Sequence, residues 1–159
     1  MAALTFGKTK TMPTIRRAGI ADVPALTRLY AAFYLEDAIP TPGDEITENL
    51  AVMVQDDRAG IWIAEADGVP IGMSSATVTF GVEFGWACEL EDLYVVPDHR
   101  GRGVSRQLMD AAHDWAKDRG VRTVILVITP DAESEQGLTD YYRKLGYSDS
   151  NRITMYREL

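Results

Sequence analysis

Cysteine is almost missing from this sequence. Cys88 is the single one in 159 residues, so no internal disulfide can form and a reducing compartment, the cytoplasm, is expected. Cys88 itself reads as a small core hydrophobe at the start of a strand. Histidine is scarce too: His99 and His113 stand apart, with no Cys/His/Asp cluster at ligand spacing, so no metal is expected. No run of 18 apolar residues occurs, which argues against a membrane-spanning helix. Met1–Met12 carries its lysines behind a short apolar start, the wrong order for a secretory leader. That stretch reads as a loose arm (1–12) ahead of one domain (13–159). Positive charge is in short supply: 16 Lys and Arg face 24 Asp and Glu, and the net charge of −8 argues against nucleic acid as the main partner. Both nucleotide fingerprints are also absent. There is no Gly-x-Gly-x-x-Gly, and no Lys-Ser/Thr pair follows the glycine loop described next.

What is present centres on Leu90–Gln107. A short apolar strand ends at Pro97, runs into Arg100-Gly101-Arg102-Gly103, and continues as an amphipathic helix. Val104, Leu108, Ala111, Ala112 and Trp115 form one apolar stripe, and Gly120 is a natural stop. The first turn of a helix leaves backbone N–H groups without intrahelical acceptors and carries partial positive charge. Gly101 and Gly103 can take φ > 0 and let a ligand approach the backbone, while Arg100, Arg102 and Arg106 add charge. A phosphate fits there.

Around this unit the pattern predicts seven strands and four helices. Strand one is Thr14–Arg16, followed by helices over Ala21–Tyr34 and Asp44–Met53. Ile61–Ala66 and Val69–Thr79 form a hairpin across Asp67-Gly68, and Cys88–Val95 is the fourth strand. Val104–Arg119 is the third helix, Thr123–Thr129 the fifth strand and Leu138–Leu145 the fourth helix. Gly146–Asp149 and Thr154–Leu159 read as closing strands. Trp62, Trp86 and Trp115 read as core residues, with Trp86 a candidate border of an acceptor site.

Arg100-Gly101-Arg102-Gly103-Val104-Ser105 resembles the Arg/Gln-x-x-Gly-x-Gly/Ala signature of the GNAT N-acetyltransferase superfamily, with Ser105 in place of the last Gly or Ala. Glu91-Asp92-Leu93-Tyr94-Val95 is similar to the corresponding strand of spermidine/spermine-type acetyltransferases, and Tyr141-Tyr142-Arg143-Lys144-Leu145-Gly146-Tyr147 resembles the second family motif. The resemblance implies a single-domain α/β GNAT-like fold, a mixed twisted sheet flanked by helices. It implies an acetyl-CoA-dependent N-acetyltransferase that transfers acetyl to a primary amine by direct attack in a ternary complex. Arg100 through Arg106 (Gly101, Arg102, Gly103, Val104 and Ser105 between them) would hold the pyrophosphate. Backbone groups of Leu93, Tyr94 and Val95 would meet the pantetheine arm and the developing oxyanion.

A protonated amine must lose a proton before it attacks, and a carboxylate in a partly apolar cleft can take it. Glu91 matches the family's base; Glu89 on the same strand face and Asp92 on the opposite one are the alternatives, as is a water chain. Tyr142 matches the tyrosine that protonates the leaving thiolate. The family's asparagine seven residues before that tyrosine is replaced by Glu135. Tyr34, Glu36, Asp37 and the Phe80–Trp86 loop are expected around the acceptor, and the acidic chain suits a small cationic molecule. Acetylation of a protein or peptide amino group, and a non-catalytic acyl-CoA-binding regulatory module, are the rival readings. Oligomers are common in the family, so a homodimer is an expectation of the resemblance alone.

Overall fold

The computed structural model describes residues 12–158, so the arm expected over 1–12 lies outside the described residues except Met12. The chain divides into two compact units, residues 1–126 and 127–159.

The first unit is a five-stranded sheet in the order β1 to β5, formed by Thr14–Arg17, Ala59–Ala66, Val69–Gly81, Gly85–Val95 and Thr123–Ile125. Neighbours run antiparallel except β4 and β5, which are parallel. The β2–β3 hairpin turns where the sequence predicts. Asp67 and Gly68 have φ of 51° and 75°, the pair of positive values a type I′ turn requires. From Ala59 to Ala64 every residue of β2 is buried, because helices cover both faces.

On one face lie α1 (Val23–Glu36) and α2 (Gly43–Met53). A 3-10 turn over Ile20–Asp22 precedes α1, which accepts Pro24 because its first turn needs no N–H donors. Val23, Leu26, Leu29 and Tyr30 of α1 join Ile46 and Leu50 of α2 against Ile61, Ile63, Met73 and Tyr94 of the sheet. The opposite face is covered by α3 (Val104–Lys117), whose buried stripe is Val104, Leu108, Met109, Ala112, Trp115 and Ala116. Ser74 Oγ donates to the Leu108 carbonyl at 3.2 Å, and Trp62 stacks edge-on to Trp115 at 5.5 Å. Trp62 and Trp115 are thus core. Trp86 is 42% exposed and stacks on Phe80 at the far end of the β3–β4 hairpin.

Close packing between β3 and β4 leaves no room at Gly72. A Cβ there would lie 2.7 Å from the Tyr94 carbonyl oxygen and 3.2 Å from Val95 Cγ2. Gly72→Ala is therefore expected to cost about 1–3 kcal/mol of stability, and to lower Tm by about 2–4 °C per kcal/mol. Gly43→Ala, with nothing within 4 Å of the added Cβ, is the control that should leave the melt nearly unchanged.

The second unit departs from the sequence expectation. The fifth strand stops at Ile125 instead of Thr129, and a helix α4 forms over Pro130–Gln136. Thr129 Oγ caps α4 by accepting from the Ala132 N–H at 3.3 Å, with Pro130 in the first turn. That start signal was legible in Thr129-Pro130-Asp131. Next comes α5, Leu138–Lys144, close to the predicted helix. The closing strands predicted over 146–149 and 154–159 are not formed among the described residues; Ile153 and Met155 are exposed there. A segment becomes a strand only when a partner strand takes its hydrogen bonds.

Candidate active site

The centre of the site is an irregularity in β4. Ser75 pairs with Asp92 and the next residue, Ala76, pairs with Leu90, so Glu91 has no opposite number. This is a β-bulge, and one extra residue reverses the in-out alternation of everything after it. Before it Cys88 and Leu90 share a face; after it Asp92 and Tyr94 point to the opposite face, where α1 lies. Asp92 was expected on the face opposite Glu91. The bulge corrects this. Glu89, Glu91 and Asp92 all turn toward α1. The Glu91-Asp92 doublet, which breaks the apolar–polar alternation, was the signal in the sequence.

Each acid has a distinct setting. Glu91 is exposed and accepts a hydrogen bond from Thr77 Oγ1 on β3. Asp92 is half-buried, and its Oδ2 accepts from Ser75 Oγ at 3.0 Å and Tyr30 Oη at 3.1 Å. Burial is the main force raising the Asp92 carboxyl above its ordinary value, with Glu91 and Asp37 adding to it and the two hydroxyl donors opposing it. Glu89, opposite Thr77 in the register, is raised by burial and then by the Glu91 charge. Tyr34 is pushed up to about 12 by burial and then by Asp92 and Glu91. The face is an acidic surface edged with hydroxyls, a setting that favours a cation. Cys88, behind it, is buried and pushed up to about 11, mainly by burial, so it stays a neutral thiol at neutral pH.

The outer edge of β4 is open. It pairs with β5 only at Ala87, Cys88 and Glu89. From Leu90 to Val95 no strand among the described residues lies on that side. Tyr94 and Val95 bury their side chains in the core, so what this edge offers is backbone.

The loop expected to bind phosphate is built as its glycines suggest. Gly101 and Gly103 have φ of 70° and 78°, with open space where a Cβ would be. Gly103 is the N-cap of α3 and supplies no side-chain cap, so the helix's first turn keeps its anion-binding geometry. Val104 is buried under the loop and Ser105 is half-buried. Arg102 is exposed and makes no ion pair among the described residues, whereas Arg106 pairs with Asp110 at 3.4 Å. Arg100 is otherwise engaged: its Nε donates to the Val95 carbonyl at 2.8 Å, its Nη2 meets Glu36 at 2.7 Å, and it lies over the Tyr94 ring. It acts as a strut between α1, β4 and the loop. Glu36, named as an acceptor contact, is held in that ion pair, while Tyr34 faces the acid group.

In the second unit Tyr142 lies on α5, half-buried between the rings of Tyr141 (5.2 Å) and Tyr147 (5.5 Å). Burial first, and Tyr141 second, push its phenol up to about 12. Glu135 is exposed on α4.

These features agree with what the chain resembles as a whole. The acetyltransferase (GNAT) family profile matches residues 23–147. An aminoglycoside N(6')-acetyltransferase type 1 of Stenotrophomonas maltophilia is 31% identical over 150 residues, 91% of this chain and 92% of that protein. One from Salmonella typhimurium is 30% identical over 127 residues, 77% of this chain and 81% of its own. Among solved structures, AAC(6')-Iy in complex with the bisubstrate analogue CoA-S-monomethyl-acetylneamine superposes with a TM-score of 0.79. It is 25% identical, over 94% of this chain and 99% of that one.

Proposed function

The chain belongs to the GNAT acetyltransferase family and is an acetyl-CoA-dependent N-acetyltransferase, and on that footing we propose that its acceptor is a small cationic amine of the aminoglycoside or polyamine class. The observation that carries this reading is the bulge at Glu91, which gathers three carboxylates on one face beside an unpaired strand edge. A polyamine or amino-sugar meets that face with complementary charge.

The residues present fit acetyl-CoA. The uncapped first turn of α3, the open positive-φ glycines and unpaired Arg102 suit the pyrophosphate, and the bare edge of Leu93–Val95 suits the amide groups of the pantetheine arm. Acetyl-CoA supplies an activated acetyl thioester. Backbone N–H groups near Leu93–Val95 are the donors for the charge that develops on the carbonyl oxygen. Glu91 takes the proton of the acceptor ammonium, directly or through water, and leaves the nitrogen its lone pair. Tyr142 holds a proton on its Oη for the departing sulfur. With a phenol at about 12, that proton is in place at every ordinary assay pH. The attacking nitrogen sheds its second proton to solvent as the carbon–sulfur bond breaks, the proton on Glu91 returns to solvent, and Tyr142 is reprotonated from solvent.

Because Arg100 also holds the Val95 carbonyl and Glu36, Arg102 is the loop cation with no ion pair among the described residues to give up. Arg102→Ala is expected to raise the Kd for acetyl-CoA about 10-fold, the loss of one charge-assisted contact. Arg106→Ala, whose charge is already partnered by Asp110, should change it less. Calorimetric titration at two salt concentrations reads both.

The function itself is tested by free-CoA release from acetyl-CoA across neamine and other aminoglycosides, polyamines, amino acids and peptides with free N-termini. Turnover confined to the cationic small molecules is expected. Turnover confined to peptides would transfer the reading to protein acceptors. Binding of acetyl-CoA without turnover of anything would make the chain an acyl-CoA-binding module.

A further inference from the structure

Glu91 is the exposed member of the acid group, and an exposed glutamate has three side-chain torsions free to turn. A base that wanders does not serve a reaction that needs its oxygen within about half an ångström of a fixed place. One side chain restrains it. Thr77 Oγ1 donates to Glu91 Oε1 across the β3–β4 pair. The neighbouring hydroxyls are otherwise used: Tyr30 on α1 and Ser75 on β3 both donate to Asp92. Among the described residues Thr77 is the one donor to Glu91.

We propose that Thr77 is the positioning residue for Glu91, holding one carboxylate oxygen so that the other faces the acceptor amine. The inference rests on the assignment of Glu91 as the base. Three features favour it. Threonine is β-branched and stiff at χ1, so its hydroxyl points in a fixed direction from a paired strand. Its hydrogen bond goes to a charged acceptor, the stronger kind. The bulge places Glu91 beside Thr77, which an unbroken register would pair with Glu89 alone. The charged and titratable groups around the pair are Tyr30, Tyr34 and Asp37 of the α1 region and Cys88, Glu89 and Asp92 of β4; Tyr30 donates to Asp92 instead.

The test is a double-mutant cycle on the full chain, with acetyl-CoA and neamine as substrates. Thr77→Val keeps shape and strand propensity and removes the donor. It is expected to lower kcat about 10-fold, with KM for neamine and Kd for acetyl-CoA within about 2-fold of the parent. Thr77→Ser should restore most of the rate. In a Glu91→Gln background Thr77→Val should cost nothing further, because Thr77 acts through the base. An equal loss in both backgrounds, or no loss in the parent, overturns the proposal. A Glu91→Gln variant as fast as the parent overturns the base assignment instead, and a parent that releases no CoA with neamine, the other aminoglycosides or any polyamine overturns the acceptor reading; either takes the proposal with it.

Discussion

Glu91→Gln is expected to lower kcat by about 10²-fold or more while leaving the Kd for acetyl-CoA near its parent value. The substitution keeps the size of the side chain and its acceptor oxygen, so the Thr77 hydroxyl still has a partner and the bulge has no reason to move. What disappears is the ability to take a proton. A variant as fast as the parent would move the base to Glu89 or to a water chain. Geometry favours Glu91 over its neighbours. Asp92 has its Oδ2 occupied by two hydroxyls and sits deeper, where burial raises it and holds it as part of the wall. Glu89 is raised by burial and by Glu91 itself, so it is the first candidate to inherit the role.

The second large effect belongs to Tyr142→Phe. Removing one oxygen leaves the ring packed between Tyr141 and Tyr147, so the melt should scarcely change. The rate should fall by about 10²-fold, with acetyl-CoA binding retained, because the departing sulfur loses its proton source. The direction of the pH effect follows from the phenol's position. Burial disfavours the phenolate, so a group pushed up to about 12 keeps its proton as pH rises through the whole assay range. Tyr142 therefore contributes no basic limb below about pH 11, and any limb seen there must survive in Tyr142→Phe. If both binding and rate are unchanged in the variant, the acid lies elsewhere.

Local chemistry made much of this protein readable. The Asp67-Gly68 turn, the α3 stripe with its Gly120 stop, and the glycines ahead of Val104 depend on residues a few positions apart, and each appears where its pattern placed it. The same reasoning failed where a partner decides. The strand expected over 154–159 pairs with nothing among the described residues, and β5 ends four residues early. The Thr129 cap of α4, by contrast, is a local signal.

For the site, the residue types and their order were determined by the sequence alone: three acids ahead of a glycine and arginine loop at a helix start, and a tyrosine in the second motif. The mutual placement of the acids and the loop within the first unit was decided by tertiary structure. Whether Asp92 shares a face with Glu91 depends on one unpaired residue in the β3–β4 register, and register is a property of two strands. The partner that engages the Arg100 guanidinium, Glu36, stands 64 residues away. Short-range preferences act along the chain and can be read from it. Registers and ion pairs between distant segments exist only after the core has brought those segments together.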